Sequence, residues 1–481
     1  MMMASLLRLQ HGLLTEELSA ALAAIPVRFG LTRSFPLNVE AEAEEAARLP
    51  LLPDLDYTGV PFLTIDPAGA ADLDQAIHID QNGDGFRLLY AIADVPAFVS
   101  PGGSIDAEAR RRGQTVYAPD GRIPLHPTRI SEGAASLLPG RTRSAYVWDF
   151  SLDAACVVST VVVSRARIRS RRQYSYAEAQ HAIDDGSGPP TLLLLRRVGI
   201  GRIRLEQERG GASLRIPSVD IESGDEGNGG YRLVRRSPLA VEDWNAQISL
   251  MTGMAAGELM LNAGIGILRT MPPPEGPVVD AFRRQAEALG HAWPVSMPYG
   301  EYLRRLDSAD PHDLAIMHAA GSLFRGAGYT AFDGVVPSNP LQAAVAAPYA
   351  HVTAPLRRLV DRFALVTCAS LSATEPVPHW VRGALPELPA VMATSERVAG
   401  NVDNAGLDAI EAAALSRHVG ETFDATVISA GNGRGQIQLT EPAVTAPCTG
   451  PLEPGSRIRA KLTEATIATG TIRFELAARR E

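Results

Sequence analysis

The sequence predicts an α+β protein that closes on a small five-stranded barrel, and three observations carry that expectation. Between Phe62 and Ile92 short apolar blocks and alternating residues are broken by Asn82-Gly83-Asp84-Gly85, the pattern of paired strands. Asp243 to Leu261, Val278 to Leu289 and Asp313 to Phe324 instead read as helices, with Pro272-Pro273-Pro274 punctuating between the first two. From Glu421 onward five short apolar runs follow one another: Phe423 to Ser429, Gln436 to Thr440, Val444 to Cys448, Arg457 to Thr463 and Ile472 to Leu476. Five strands so closely spaced, with a hairpin turn at Gly431-Asn432-Gly433, fit a closed OB-type barrel.

Taken in order, residues 1–50 form a small helical unit. Leu6, Leu7, Leu13, Leu14, Leu18 and Leu22 fit a helical pair broken near His11-Gly12, and Glu40 to Leu49 a further short helix. A helix-turn-helix or winged-helix module is one reading of this unit, and plain helix packing the other. Residues 51–414 form the main body, strand-rich first and helical after. Turn or linker signals fall at Asp184 to Pro190 and at Glu222 to Gly230. Residues 415–481 carry the barrel.

Composition bounds the function. The 481 residues are 46% hydrophobic, without an apolar run long enough to span a bilayer. Arg8, His11, Glu16 and Glu17 interrupt the apolar start, so no signal peptide is expected and a cytoplasmic location is. Cys156, Cys368 and Cys448 are far apart and odd in number, which indicates neither a disulfide framework nor a zinc site. A net charge of −9 means that a polyanionic partner would need locally concentrated cations. The candidates are Arg110-Arg111-Arg112, the series Arg165, Arg167, Arg169, Arg171 and Arg172, and Arg357-Arg358. Of the 45 basic residues only Lys461 is a lysine, and arginine suits bidentate phosphate contacts.

The chain is organised around Thr64 to Ile79, TIDPAGAADLDQAIHI. Asp66, Asp72 and Asp74 lie in nine residues of otherwise small, apolar or turn-forming character, between two strands that hold their loop. Several carboxylates on a rigid frame are what a hard divalent cation such as Mg²⁺ requires, and such an ion activates water against a phosphodiester. Aspartates at turn and cap positions of a solvated loop are the plainer reading. A second constellation runs from His351 to Asp361 as HVTAPLRRLVD. Thr353 is placed to cap a helix with Pro355 in an early position, which puts Arg357 in the first turn. A cation there opposes the helix dipole unless an anion sits between them. The alternative is a solvated helix surface on which Arg358 faces Asp361.

Together these stretches resemble the ribonuclease II/ribonuclease R (RNB) family of exoribonucleases, and the resemblance spans most of residues 55–480. Asp66, Asp72 and Asp74 fall on three of the family's four acidic positions, while the fourth is Gln75. The His351 to Arg358 segment is similar to the family's His-x-Thr-Ser-Pro-Ile-Arg-Arg motif, with Ala354 in place of Ser. The resemblance implies an RNB-type core of mixed sheet and helices, closer to the ribonuclease II type. It implies Mg²⁺, with Mn²⁺ able to substitute, on Asp66, Asp72 and Asp74, and Arg357 on the scissile phosphate with Arg358 beside it. Tyr117, in TVYAPD, would stack on the 3′-terminal base, since an aromatic face accepts any base. Tyr176 and the pair Glu242 and Asp243 would favour ribose over deoxyribose. Arg209-Gly-Gly-Ala212, Arg269-Thr-Met-Pro-Pro273 and Glu396-Arg397 also match, although Met271 stands where relatives have His, and only Asp403 represents the acidic partner downstream of Glu396.

The function implied is a monomeric 3′→5′ exoribonuclease that processively hydrolyses single-stranded RNA to 5′-monophosphates. The competing reading is a catalytically weak RNA-binding protein on the same fold. Gln75 motivates it, because an amide brings no charge to a metal. Asp66, Asp72 and Asp74 are nevertheless expected to suffice for catalysis at a raised Mg²⁺ requirement, which Gln75→Asp is expected to lower.

Overall fold

Phe62 to Ile92 folds as its alternation predicts. The computed structural model describes residues 16–48, 52–214, 217–223, 231–442 and 444–477. Two helices, α1 (Glu16–Arg28) and α2 (Leu37–Arg48), precede the strands β1 (Asp56–Tyr57), β2 (Leu63–Asp66), β3 (Gln75–Asn82) and β4 (Gly85–Ala93). Helix α3 (Ser104–Arg112) and the hairpin β5 (Val116–Ala118) and β6 (Gly121–Ile123) follow, then β7 (Thr142–Leu152), β8 (Val158–Arg169) and β9 (Arg172–Ser175). Seven of these strands form one mixed sheet in the order β1-β8-β7-β4-β3-β2-β9. Its β1–β8 and β2–β9 pairs are parallel and the others antiparallel.

Both faces of this sheet are covered, so its central strand β4 is apolar and buried from Leu88 to Ala93. In β4, Leu88, Tyr90 and Ile92 join one cluster and Leu89, Ala91 and Ala93 another. The first cluster takes in α5 (Pro190–Glu208), which follows α4 (Tyr176–Asp184), and the long α6 (Ala240–Ala263). The turn signals at residues 184–190 fall between α4 and α5. Those at 222–230 begin at the end of β10 (Ser218–Ser223), which pairs with β11 (Tyr231–Arg236), and residues 224–230 lie outside the described residues.

The helical half matches its periodicity. After β12 (Ile265–Thr270) come α7 (Gly276–Ala288), α8 (Tyr299–Arg304) and α9 (Pro311–Ala320), and then β13 (Gly328–Asp333), which pairs with β12. The short β14 (Leu341–Gln342) and β15 (Ala347–Pro348) lead the chain across α6. A β-carbon on Gly253 would run into the Tyr349 ring, so glycine at this point of α6 lets residues 349–352 lie against the helix. Helix α10 (Leu359–Ser372) begins later than the sequence predicts. Its N-cap is Arg358, so Thr353 caps no helix and Arg357 stands in the preceding turn. Asp361 explains the shift: its buried carboxylate accepts the Ala354 N–H at 2.7 Å and both arms of Arg358, closing a loop over residues 354–361 where another helical turn would start.

After α11 (His379–Ala384), the 28-residue α12 (Leu388–Leu415) runs to the C-terminal barrel. The barrel consists of β16 (Thr422–Gly431), β17 (Arg434–Leu439), β18 (Thr445–Thr449), β19 (Arg457–Thr466) and β20 (Thr471–Leu476), closed in the order β16-β17-β18-β20-β19. Asn432 and Gly433, at φ 52° and 71°, turn β16 into β17 in the manner of a two-residue hairpin. All five expected strands are present.

The N-terminal helices are buried in separate places. Leu18, Leu22 and Ile25 of α1 share a cluster with Val402 and Ile410 of α12, whereas Val39 and Ala43 of α2 pack under the sheet. Leu6, Leu7, Leu13, Leu14 and the expected break at His11-Gly12 lie outside the described residues. Cys156, Cys368 and Cys448 are buried free thiols. Among the described residues no helix is long and apolar enough to cross a membrane.

Candidate active site

Asp66 ends β2, and the parallel pairing of β2 with β9 sets it opposite Ser175. Ser175 is the N-cap of α4, bonded to Glu178 in a reciprocal capping box, so the first helical residue, Tyr176, comes close to Asp66. The loop from Pro67 to Asp74 is fastened along its length. Ser136 donates to the Ala71 carbonyl and accepts from the Leu73 N–H, Leu137 N–H donates to the Leu73 carbonyl, Gln173 holds the Ala70 carbonyl, and Ala93 N–H donates to the Asp74 carbonyl. The aspartates are therefore presented on a fixed frame.

Asp74 is buried. Its Oδ1 accepts the Leu356 N–H at 2.8 Å and its Oδ2 lies 3.7 Å from Arg357 Nε. Burial still holds its carboxyl well above the usual range, with Arg357 and the Leu356 amide working against the shift. Burial likewise pushes Asp66 up to about 7, the negative charge of Asp72 adding to the effect and Arg357 opposing it. One oxygen of Asp66 is buried without a hydrogen-bond partner. Asp72 is turned to Arg122 at 2.6 Å, and Arg122 also pairs with Glu132 at 2.7 Å.

Arg357 keeps nearly half of its side chain exposed, beside Asp74. Arg358 is different: it is spent in a bidentate pair with Asp361, both contacts 2.8 Å. The sequence reading set Arg358 beside Arg357 on substrate, whereas the structure gives its guanidinium to the fold. Tyr117 sits on β5, directly across the hairpin from Arg122. Burial raises its phenol, and the charges of Arg357, Asp72 and Asp74 all act on it. Gly406 of α12 gives the hairpin its seat, for a β-carbon there would strike the ring of Pro119.

Tyr176 is pushed up to about 12 by burial, then by Asp66 and Glu242. Glu242 stands in the first turn of α6, where it accepts from the Leu239 N–H at 3.0 Å and from both arms of Arg236. Asp243 follows it, partly buried in the same turn. Asp66, Asp72, Asp74, Tyr117, Tyr176 and Arg357 thus act on one another's charge, with Glu242 at the Tyr176 side.

A divalent cation fits part of this arrangement. The unpartnered Asp66 oxygen and the raised Asp66 and Asp74 carboxyls are groups that a positive charge would satisfy. Asp72 must exchange Arg122 to join them. Among the described residues no three His, Cys, Asp or Glu side chains form a ready cage. Mg²⁺ in particular is held by one or two carboxylates plus waters and substrate oxygens.

Sequence reasoning missed two participants. Arg122, the partner of Asp72, is found only by pairing Tyr117 across the Pro119-Asp120-Gly121 turn. The other is the use made of Gln75. Its Nε2 donates to the Thr353 carbonyl at 2.5 Å and its Oε1 accepts from Tyr90 at 2.9 Å, so the amide is engaged by the protein.

A family model for the RNB domain matches residues 55–366, and one for the RNase II-type exonuclease C-terminal S1 domain matches residues 421–477. The chain belongs to the RNB family. Among curated relatives, it is 30% identical over 343 residues to the exosome complex exonuclease RRP44 homolog A of Arabidopsis thaliana, an alignment covering 68% of this chain and 36% of that protein. It is 26% identical to ribonuclease R of Chlamydia muridarum, covering 82% of this chain and 58% of the relative. The chain therefore spans about a third of the first relative's length and less than two thirds of the second's. Among solved structures, Mycoplasma genitalium RNase R in complex with ribose methylated single-stranded RNA superposes with a TM-score of 0.83 at 18% identity, over 96% of this chain and 78% of that one. Yeast Ssd1, a pseudonuclease, gives 0.70 at 15% identity, over 92% and 57%. Both likenesses are of fold.

Proposed function

We propose that this protein is a 3′→5′ exoribonuclease that shortens single-stranded RNA processively by Mg²⁺-dependent hydrolysis, releasing 5′-monophosphates. The observation that carries the reading is the meeting of Asp66 and Asp74 with Arg357, from a distant part of the chain, beside an aromatic ring. Asp66 and Asp74 would hold the metal, with Asp72 joining on release of Arg122, and Mn²⁺ would serve in place of Mg²⁺. When bound, the ion supplies Lewis acidity and an activated water. Arg357 binds the phosphate beside Asp74 and offsets charge that develops on its oxygens. Tyr117 stacks on the terminal base without regard to sequence. Tyr176 and the first turn of α6, with Glu242 and Asp243, contact the ribose and favour RNA. The family membership and the RNA-bound RNase R of the same fold support this reading.

The test is incubation of 5′-end-labelled single-stranded RNA with the purified protein in Mg²⁺ and in EDTA. Progressive shortening from the 3′ end in Mg²⁺ alone is expected, and DNA of the same sequence should survive. Internal cutting, or loss from the 5′ end, would sink the proposal. A second reading, an RNA-binding protein with little or no turnover, is favoured by Gln75, whose neutral amide is already engaged, and by the fold shared with a pseudonuclease. Tight RNA binding with no shortening in Mg²⁺ or Mn²⁺ would select it.

A further inference from the structure

Residues 353–357 hold Arg357 in place through a series of anchors. The Thr353 carbonyl accepts from Gln75 at 2.5 Å and the Ala354 N–H donates to Asp361 at 2.7 Å. The Leu356 N–H donates to Asp74 at 2.8 Å, and the Arg357 carbonyl accepts from the Thr115 N–H at 2.9 Å. Two of the four come from adjacent residues, Asp74 and Gln75, at the start of β3. We propose that Gln75 is a positioning residue: its amide fastens the arginine segment to the aspartate strand, and a carboxylate here would undo that fastening, not complete a metal site.

The chemistry of the two ends of the amide argues this. At one end Nε2 has a hydrogen to give, and Thr353 has only a carbonyl to receive it. An ionised carboxylate has no donor, so a glutamate, of the same length, would set lone pairs against lone pairs across this 2.5 Å contact. Aspartate is also one methylene shorter and falls short of the Thr353 carbonyl. At the other end Oε1 accepts from Tyr90, whose hydroxyl also meets Ser249 Oγ at 2.8 Å. Tyr90 is buried in β4 and Ser249 lies on α6. A chain of contacts from Ser249 through Tyr90 and Gln75 to Thr353 thus ties α6, β4, β3 and the arginine segment. Satisfied networks of this kind rigidify what they join. Severing the link at Gln75 takes one of the four anchors from the segment and loosens it at Thr353, so that Arg357 is held beside Asp74 less rigidly.

The proposal rests on the hydrolase reading only for its kinetic arm, and a structural arm needs neither RNA nor metal. Amide hydrogen exchange over residues 353–357 is followed in Gln75→Met, which keeps length without hydrogen bonding, in Gln75→Asp and in Tyr90→Phe. Melting curves check that each variant is folded. Exchange at Leu356 is expected to quicken about tenfold in the two Gln75 variants, as for loss of one hydrogen bond, and less in Tyr90→Phe. In the kinetic arm both Gln75 variants should lose kcat by about 10²-fold, as for a misplacement near 1 Å, with KM little changed. Gln75→Asp should not lower the Mg²⁺ concentration for half-maximal rate. Wild-type exchange in Gln75→Met overturns the proposal, and so does a Gln75→Asp variant that turns over normally at lower Mg²⁺, which would put position 75 in the metal shell. A wild-type protein that leaves RNA intact overturns the hydrolase reading instead, and the exchange arm then decides the role of Gln75 alone.

Discussion

At the scale of the residue, Asp74 and Tyr117 should separate chemistry from grip. Asn at position 74 still accepts the Leu356 N–H but brings no charge. Asp74→Asn is therefore expected to keep the fold and RNA affinity while kcat falls by about 10³-fold, the upper range for losing one electrostatic partner. Single-turnover assays beside filter binding would check this, and near-normal turnover would make Asp74 a structural residue. Tyr117→Ala should instead loosen the 3′-terminal nucleotide by about 1–3 kcal/mol and change the end products. The aspartates and Arg357 are legible in the sequence because a cation and a phosphate demand particular residue types at particular spacing. The Arg122 pairing with Asp72 and the Gln75 contact with Thr353 are not, since they join residues 50 and 278 positions apart, brought together only by tertiary folding.

At the scale of the element, Asp361 shows how a buried carboxylate redraws a helix start. Spacing places Thr353 and Pro355 well for a helix, yet Asp361 draws in the Ala354 N–H and Arg358, and α10 begins at Leu359. Local preference is weak where a buried charge must be satisfied. Asp361→Ala, which leaves Arg358 without its partner, should lower stability by about 3–5 kcal/mol in urea unfolding. Arg358→Lys should be milder but not neutral, because an ammonium cannot reproduce the fork. On α12, burial followed by the charge of Asp408 pushes Glu411 up to about 8. The native state then holds a proton that the unfolded chain releases near its ordinary carboxylate pKa, so stability falls as pH rises from that value through about 8. Glu411→Gln should raise the melting temperature at pH 8.5 and leave it little changed at pH 4. An equal gain at both pH values would contradict this origin. Helices α6, α7 and α9 and all five barrel strands are legible as runs of apolar residues at helical or strand spacing, whereas α5 and α12 are not singled out and the edges of the main sheet depend on partners far along the chain.

At the scale of the whole molecule, charge is less available than the count of arginines suggests. Arg110, Arg111 and Arg112 pair with Asp106 and Glu108, Arg165 with Asp94 and Arg167 with Asp56. Of the arginines that the sequence singles out, Arg358 is also spent on Asp361, which leaves Arg169, Arg171, Arg172 and Arg357 to displace counterions from RNA. The dependence of log K on log salt should be shallow, no steeper than about −3, which corresponds to roughly four phosphates at −0.7 each. A much steeper slope would mean that these ion pairs open on binding. Mg²⁺ should raise the melting temperature more at pH 8 than at pH 5, since Asp66, pushed up to about 7, gives up its proton between the two. Helix α12 binds the parts together: α1 and the strand of Tyr117 pack on it at one stage, β19 and β20 of the barrel at another. At about 1.5 Å and 100° per residue, one inserted residue in α12 would rotate everything beyond it by more than a quarter turn. Only six residues, 416–421, separate its end from β16, too few to unwind that rotation. The helix is in effect a keyed shaft between the barrel and the Tyr117 hairpin: its surface is open to substitution, but its length is locked in register.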